Sequence, residues 1–174
     1  MSISSLSTQL YANVSTGADG GADLVTLALL LQIERYNVLG SQLRDEFEDM
    51  KKRNDWLKTA NAALAELRVC RPNNDKEFHG YGSFKDAQGK PQGVFPWMVK
   101  NGIAIAGNGN GYQADFDAAI SNLKARIDTV NSESQMSLIR LQSLMDKVNQ
   151  SVELATNLLA KDSKVKENIL GNIR

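Results

Sequence analysis

From Phe116 onward, apolar residues recur in alternating steps of four and three. The positions are Phe116, Ile120, Leu123, Ile127, Val130, Ser134, Ser137, Leu141, Leu144, Val148, Ser151, Ala155, Leu158, Asp162, Val165 and Ile169, and twelve of the sixteen are apolar. That repeat predicts a coiled-coil seam, buried against a partner helix, with one small polar gap at Ser134 and Ser137. A helix from about Gln113 to Asn168 would be roughly 85 Å long at 1.5 Å per residue, too long to stand without tertiary support. Its second half is wider than one seam, because Leu138, Ile139, Met145, Val152, Leu154 and Leu159 add apolar surface beside it. The seam would use one partner helix. The extra surface implies a second partner, either the rest of the chain or another copy. In the plainer alternative the first helix folds back and covers both stripes. Two antiparallel helices cover one stripe well but rarely a helix that is apolar on most sides, which favours self-assembly.

Upstream, a first helix is predicted over 23–68, with Asp23 as a plausible N-cap. Apolar or near-apolar positions at three- and four-residue steps include Leu29, Ile33, Tyr36, Leu43, Phe47, Met50, Leu57 and Leu64. Leu29, Leu30, Ile33, Tyr36, Leu43 and Phe47 are the residues expected to pack this helix. Gly40, Asn54 and Asn61 weaken the stripe, and "RDEFEDMKKR" reads as a solvated face. Residues 1–22 are Ser-, Thr-, Asn- and Gly-rich without Lys or Arg, the composition of a polar segment that orders on a partner.

Between the helices, 69–112 holds all three prolines, Pro72, Pro91 and Pro96, and most of the glycines. The turn residues predict a small hairpin around Asp86 to Lys90. "FPWMVKNG" reads as a short helical turn, and "GIAIAG" as a short strand or extended segment. The loop from Asn73 to Gly93, with Trp97 at its edge, is expected on the outer surface. The fold class is therefore mainly α: a long antiparallel helical hairpin, or coiled coil, with a small irregular, β-containing insertion.

"GIAIAGNGNGY" raises the question of a phosphate-binding loop. A dinucleotide site needs G-x-G-x-x-G, then a helix returning to a second strand. Here Gly107, Gly109 and Gly111 are spaced G-x-G-x-G, and the following helix runs on to 174. No Gly-Lys-Ser/Thr occurs either. The stretch reads instead as a flexible joint, with Asn110 or Gly111 opening the last helix.

Other chemistry is thin. Cys70 and His79 are the only cysteine and histidine. They exclude an intramolecular disulfide and leave no ordinary structural zinc set. A Cys/His pair would need these two residues and lacks an orienting third group. A half-buried cysteine and an exposed loop histidine are the simpler expectation. No catalytic, cofactor-binding or metal-binding residue is assigned. Twenty basic residues balance twenty acidic ones, which argues against nucleic acid as a partner. "LVTLALLL" is far shorter than the about 20 apolar residues of a membrane span. The first basic residue is Arg35, so no Sec-type signal peptide is expected.

The layout resembles the EspA/SseB group of type III secretion proteins, which extend or cap the bacterial secretion needle. The resemblance lies in the Ser-rich N-terminus, then "DLVTLALLLQIERYNVLG" entering a charged coil. It continues in "WMVKNGIAIAGNGNGY", with its Asn-Gly-Ile and later Tyr, and in the C-terminal coil beyond Asn131 to Gln135. It implies a secreted structural protein and not an enzyme, exported without a cleaved signal peptide. A cytosolic export chaperone would cover the coil, and needle and translocator proteins would be its partners outside. Copies would form a helical filament conducting effectors to the host cell, with Phe116, Ile120, Leu123, Ile127, Val130, Leu141, Leu144, Val148, Leu158, Val165 and Ile169 as the assembly seam. The alternative is a monomeric needle-tip or coiled-coil adaptor protein that binds a single partner.

Overall fold

Two long helices and one short helix account for most of the chain. The structure, a computed structural model, describes residues 24–172. The 1–22 segment, the N-cap expected at Asp23 and residues 173–174 lie outside the described residues, as do the side chains of Val165 and Ile169. The order is α1 (Leu24–Cys70), β1 (His79–Gly80), β2 (Ser83–Lys85), β3 (Pro91–Gly93), α2 (Val94–Lys100), β4 (Asn110–Gly111) and α3 (Gln113–Asn172). The fold is mainly helical, with a small strand-containing insertion joining α1 to α3.

Local chemistry explains the boundaries. α1 has no glycine or proline between Ser41 and Cys70, and it ends just before Pro72, which biases Arg71 away from helical geometry. α3 opens differently from the sequence expectation. Neither Asn110 nor Gly111 is its cap: the Asp115 carboxylate accepts the Tyr112 N–H at 2.9 Å, while the Tyr112 carbonyl accepts the first helical N–H groups, from Asp115 and Phe116. Asp115 thus plays the back-reaching half of a capping box and puts a negative charge at the positive end of the helix dipole.

The insertion is two small ladders. β2 and β3 pair antiparallel with Phe84 opposite Gln92, and β1 pairs with β4 with Gly80 opposite Asn110. The β2–β3 turn is built by Asp86, whose Oδ1 accepts the N–H groups of Gln88 and Lys90 at 3.0 and 2.8 Å, and Gly89 takes φ +79°. These bonds hold the Asp86 carboxyl below its ordinary pKa, the Lys90 N–H contributing most. "GIAIAG" carries no strand; the ladder residues lie farther on, at Asn110–Gly111. The reason is the end of α2. Ile103 N–H bonds to the Met98 carbonyl and Gly102 N–H to Val99, with Gly102 at φ +68°. That is a Schellman cap, and both of its apolar partners, Met98 and Ile103, are buried.

The chain divides into two compact units, one of residues up to Glu46 together with those from Arg140, the other Phe47–Ile139. In the 47–139 unit, Ala60, Ala63, Leu64 and Leu67 of α1 and Phe116, Ala119, Leu123 and Ile127 of α3 form one core with Tyr81, Phe84, Val94, Trp97, Met98 and Ile103 from the insertion. The spacing on each long helix is three and four residues, so one stripe faces inward. Trp97 is not on an outer surface. It is 8% exposed, edge-on to Phe84 at 5.7 Å and beside Trp56 at 5.9 Å. Its large apolar ring outweighs the polarity of the loop before it. In the other unit Leu29, Leu30, Leu39, Leu141 and Leu144 are buried, and the Ser151 hydroxyl lies 3.2 Å from the Gln32 carbonyl oxygen and 3.1 Å from its Oε1.

Two glycines separate backbone strain from crowding. A Cβ on Gly102 would meet nothing within 4 Å, so Gly102→Ala should cost only the positive-φ penalty, about 1–2 kcal/mol. At Gly82, φ +80°, a Cβ would meet Glu66 Oε1 at 2.5 Å and Cys70 Sγ at 2.7 Å, so Gly82→Ala should destabilise more. Urea unfolding of both variants checks the order.

Candidate functional site

The positions that sequence periodicity singled out separate into two groups. Phe116, Leu123, Ile127 and Val130 are buried in the 47–139 unit, with Ile120 half-buried. In the other unit Leu141 and Leu144 are buried, and Val148 and Leu158 half-buried. The polar exceptions are satisfied inside the seam. Buried Ser137 accepts a hydrogen bond from the Arg53 guanidinium, and Ser134 donates to the Val130 carbonyl at 2.9 Å. Of the two, the Arg53–Ser137 contact joins α1 to α3 and resists sliding of one along the other, whereas half-buried Ser134 bonds within its own helix and leaves the register free. On α1, Leu29 and Leu30 are buried and Ile33, Tyr36 and Leu43 half-buried. Phe47 departs from the expected packing set: it is 59% exposed, and Leu39 is buried in the neighbouring unit, off the counted stripe. Its apolar helix neighbours Leu43 and Met50 are only half-buried.

What the chain leaves uncovered is as ordered as what it buries. In the unit containing Arg140 onward, Met145, Val152 and Leu159 are 54%, 48% and 53% exposed. They are seven residues apart, so they lie along one face of α3. Leu154 is exposed too, but on the opposite side of the helix from this row. On α1 in the same unit, Leu27, Leu31 and Val38 are exposed, Leu31 to 70%. Steps of four and seven put these three on one face as well. Isolated exposed leucines are ordinary, whereas these repeat along one face of each helix. Met136, Leu138 and Ile139 are likewise exposed in the 47–139 unit.

The Cys70 thiol and the His79 ring bond to other groups rather than to each other. The His79 Nδ1 lies 3.3 Å from the Cys70 backbone oxygen, and its Nε2 is 3.7 Å from Glu77. The Cys70 thiol instead donates to Glu66 Oε1 at 3.4 Å. Burial, then the hydrogen bond to Glu66 and its negative charge, push the thiol above its ordinary pKa. An activated cysteine needs the reverse. No group of three or more His, Cys, Asp or Glu among the described residues is placed to hold a metal ion. No described helix is long and apolar enough to cross a membrane.

The glycine-rich stretch proves to be a pinned loop. Tyr81, 1% exposed, donates its hydroxyl to the Ala106 carbonyl at 2.9 Å, and its N–H bonds to the Gly109 carbonyl at 3.0 Å. Burial and then the Asp115 charge raise the Tyr81 phenol pKa, keeping it a donor. Gly111 is needed for close approach, since a Cβ there would collide with the Tyr81 hydroxyl and come within 2.8 Å of Asp115 Cβ. Sequence reasoning did not single out Tyr81; "HGYGSF" offers only an aromatic between glycines. Arg71 closes the same end with a two-pronged bond to Asp117, Nε to Oδ1 at 2.7 Å and Nη2 to Oδ2 at 2.8 Å. That bond holds the Asp117 carboxyl below its ordinary pKa.

No family model, curated protein or solved structure matches the chain.

The raised Cys70 pKa gives a direct expectation. Near pH 8 the thiol should alkylate with iodoacetamide more slowly than a free cysteine, and the rate should rise as pH climbs. Glu66→Gln removes the neighbouring negative charge and should speed the reaction. Timed mass spectrometry measures both rates.

Proposed function

We propose that this chain is a self-assembling structural subunit whose two long helices form an antiparallel hairpin and share their uncovered apolar rows with other copies. The observation that carries it is the set of exposed rows at heptad spacing on α1 and α3, beside a seam the chain already buries within itself. The antiparallel arrangement is supported within each unit by pairs whose numbers run in opposite directions: Gln32 with Ser151 and Glu46 with Arg140 in one, Arg53 with Ser137 and Arg71 with Asp117 in the other. The near balance of charge limits repulsion between stacked copies.

The proposal extends to the setting that the sequence resemblance implies: a secreted filament subunit of the type III secretion kind, kept soluble before export by a helical chaperone on the same rows. Because the chain buries part of the seam itself, this proposal assigns assembly to residues beside it. Leu141 and Leu144 support the subunit's fold, whereas Met145, Val152, Leu159, Leu27 and Leu31 are the surface offered to neighbours.

Fully burying a large aliphatic side chain is worth about 1.5–3 kcal/mol, and residues already half covered gain about half of that. Met145→Glu with Val152→Glu should therefore weaken association roughly 30–100-fold, leaving helix content unchanged. Leu144→Asp should instead unfold its unit, since it buries an unpaired carboxylate. Sedimentation velocity with electron microscopy reads assembly, and far-UV circular dichroism reads folding. A wild-type chain that stays monomeric at high concentration sinks the proposal and leaves the single-partner tip or adaptor role.

A further inference from the structure

The 47–139 unit carries a cleft of about 290 Å³ between α1, the β2–β3 turn and the end of α2. That is near the lower end of small-ligand sites, about 300–1,000 Å³. Its lining combines polar and aromatic side chains, among them Asp55, Trp56, Gln88, Gln92, Trp97 and Lys100. Several contacts hold it in shape. Thr59 Oγ1 accepts the Ala87 N–H at 3.1 Å and donates to the Asp55 carbonyl at 2.8 Å, anchoring the turn to α1. Gln92 Nε2 donates to Asp86 at 3.1 Å, and Gln88 Nε2 lies 3.4 Å from Asp55 Oδ2. The Trp56 indole N–H donates to Asn101 Oδ1 at 2.8 Å, and Asn101 donates to the Trp97 carbonyl at 2.7 Å. The indole is therefore held at its polar edge yet remains half-exposed.

The groups that remain available define a ligand. Gln88 keeps its carboxamide oxygen and Asp55 a second carboxylate oxygen, both acceptors. Lys100 supplies up to three donors, and its ammonium makes no hydrogen bond or ion pair to a described residue. Acceptors and donors lining one cleft suit vicinal hydroxyls, each of which gives and takes a hydrogen bond. A half-exposed indole suits a flat, weakly polar C–H surface. Asp55 and Asp86 against Lys100 make the lining net negative, which disfavours phosphates and sugar acids. We propose that this cleft binds a neutral pyranose, its C–H face on Trp56 and its vicinal hydroxyls held by Asp55, Gln88 and Lys100.

The test is built into the sequence, because Trp56 and Trp97 are the chain's only tryptophans. All tryptophan fluorescence therefore reports on this cleft. The full chain would be titrated with methyl galactoside, methyl mannoside and N-acetylglucosamine, each to about 50 mM, and with sialyllactose and tetramethylammonium as anionic and cationic probes. A saturable emission change with at least one neutral sugar is expected. Asp55→Asn and Lys100→Met should each weaken it about tenfold or more, with melting temperature unchanged. If either variant loses helix content, Gln88→Ala takes its place with the same expected loss. No saturable change with any neutral sugar overturns the proposal. So does binding that survives these variants, or a response to tetramethylammonium or sialyllactose alone.

Discussion

A long amphipathic helix cannot bury its own stripe, and every feature of this protein follows from how that surface is covered. In the 47–139 unit much of the stripe is covered internally, while Met136, Leu138 and Ile139 stay exposed. Ala60 and Ala63 keep α1 narrow, Phe116, Leu123 and Ile127 project from α3, and the insertion supplies the bulk that two helices alone lack. Tyr81 is the central piece: its ring lies 4.6 Å from Phe116, and its hydroxyl and N–H secure the 106–109 backbone. A buried phenol left without a partner would be costly, so loop and core stabilise each other.

The other unit has no insertion, and there the same helices stay partly bare. Leu29, Leu30, Leu39, Leu141 and Leu144 are covered, whereas Leu31, Met145, Val152 and Leu159 are not. The contrast follows from arithmetic on surfaces. A helix with one apolar stripe needs one neighbour, and a helix with a second row needs another. Ser151 on Gln32 adds a polar contact that favours one alignment of the buried stripe while leaving the outer rows unaffected.

The insertion has a character of its own. It is short in regular structure and dense in side-chain-to-backbone bonds: Asp86 builds the hairpin turn, Thr59 receives it, and Asn101 links Trp56 to the end of α2. Such bonds give a small segment a definite shape without an extended sheet. They also hold the polar, tryptophan-lined cleft in place, separate in kind from the apolar rows of the helices.

The two long helices, the glycine- and proline-rich insertion between them, and the exposed rows at 145, 152 and 159 were legible from periodicity alone, because helix geometry converts spacing directly into faces. Hairpin and short helix were also legible, since Asp86, Gly89 and the Asn-Gly pair at 101–102 act locally. Tertiary structure alone decided the rest. Trp97 turned inward because Phe84 and Trp56, distant in sequence, offered it an apolar wall. Phe47 stayed out although its spacing put it on the counted stripe. Asp115, rather than the asparagine or glycine before it, capped α3. Tyr81 became the pivot of the core only when Phe116 and Ala106 came to it. Spacing along a chain specifies which residues share a face, whereas which face is covered depends on partners brought together from far along the chain.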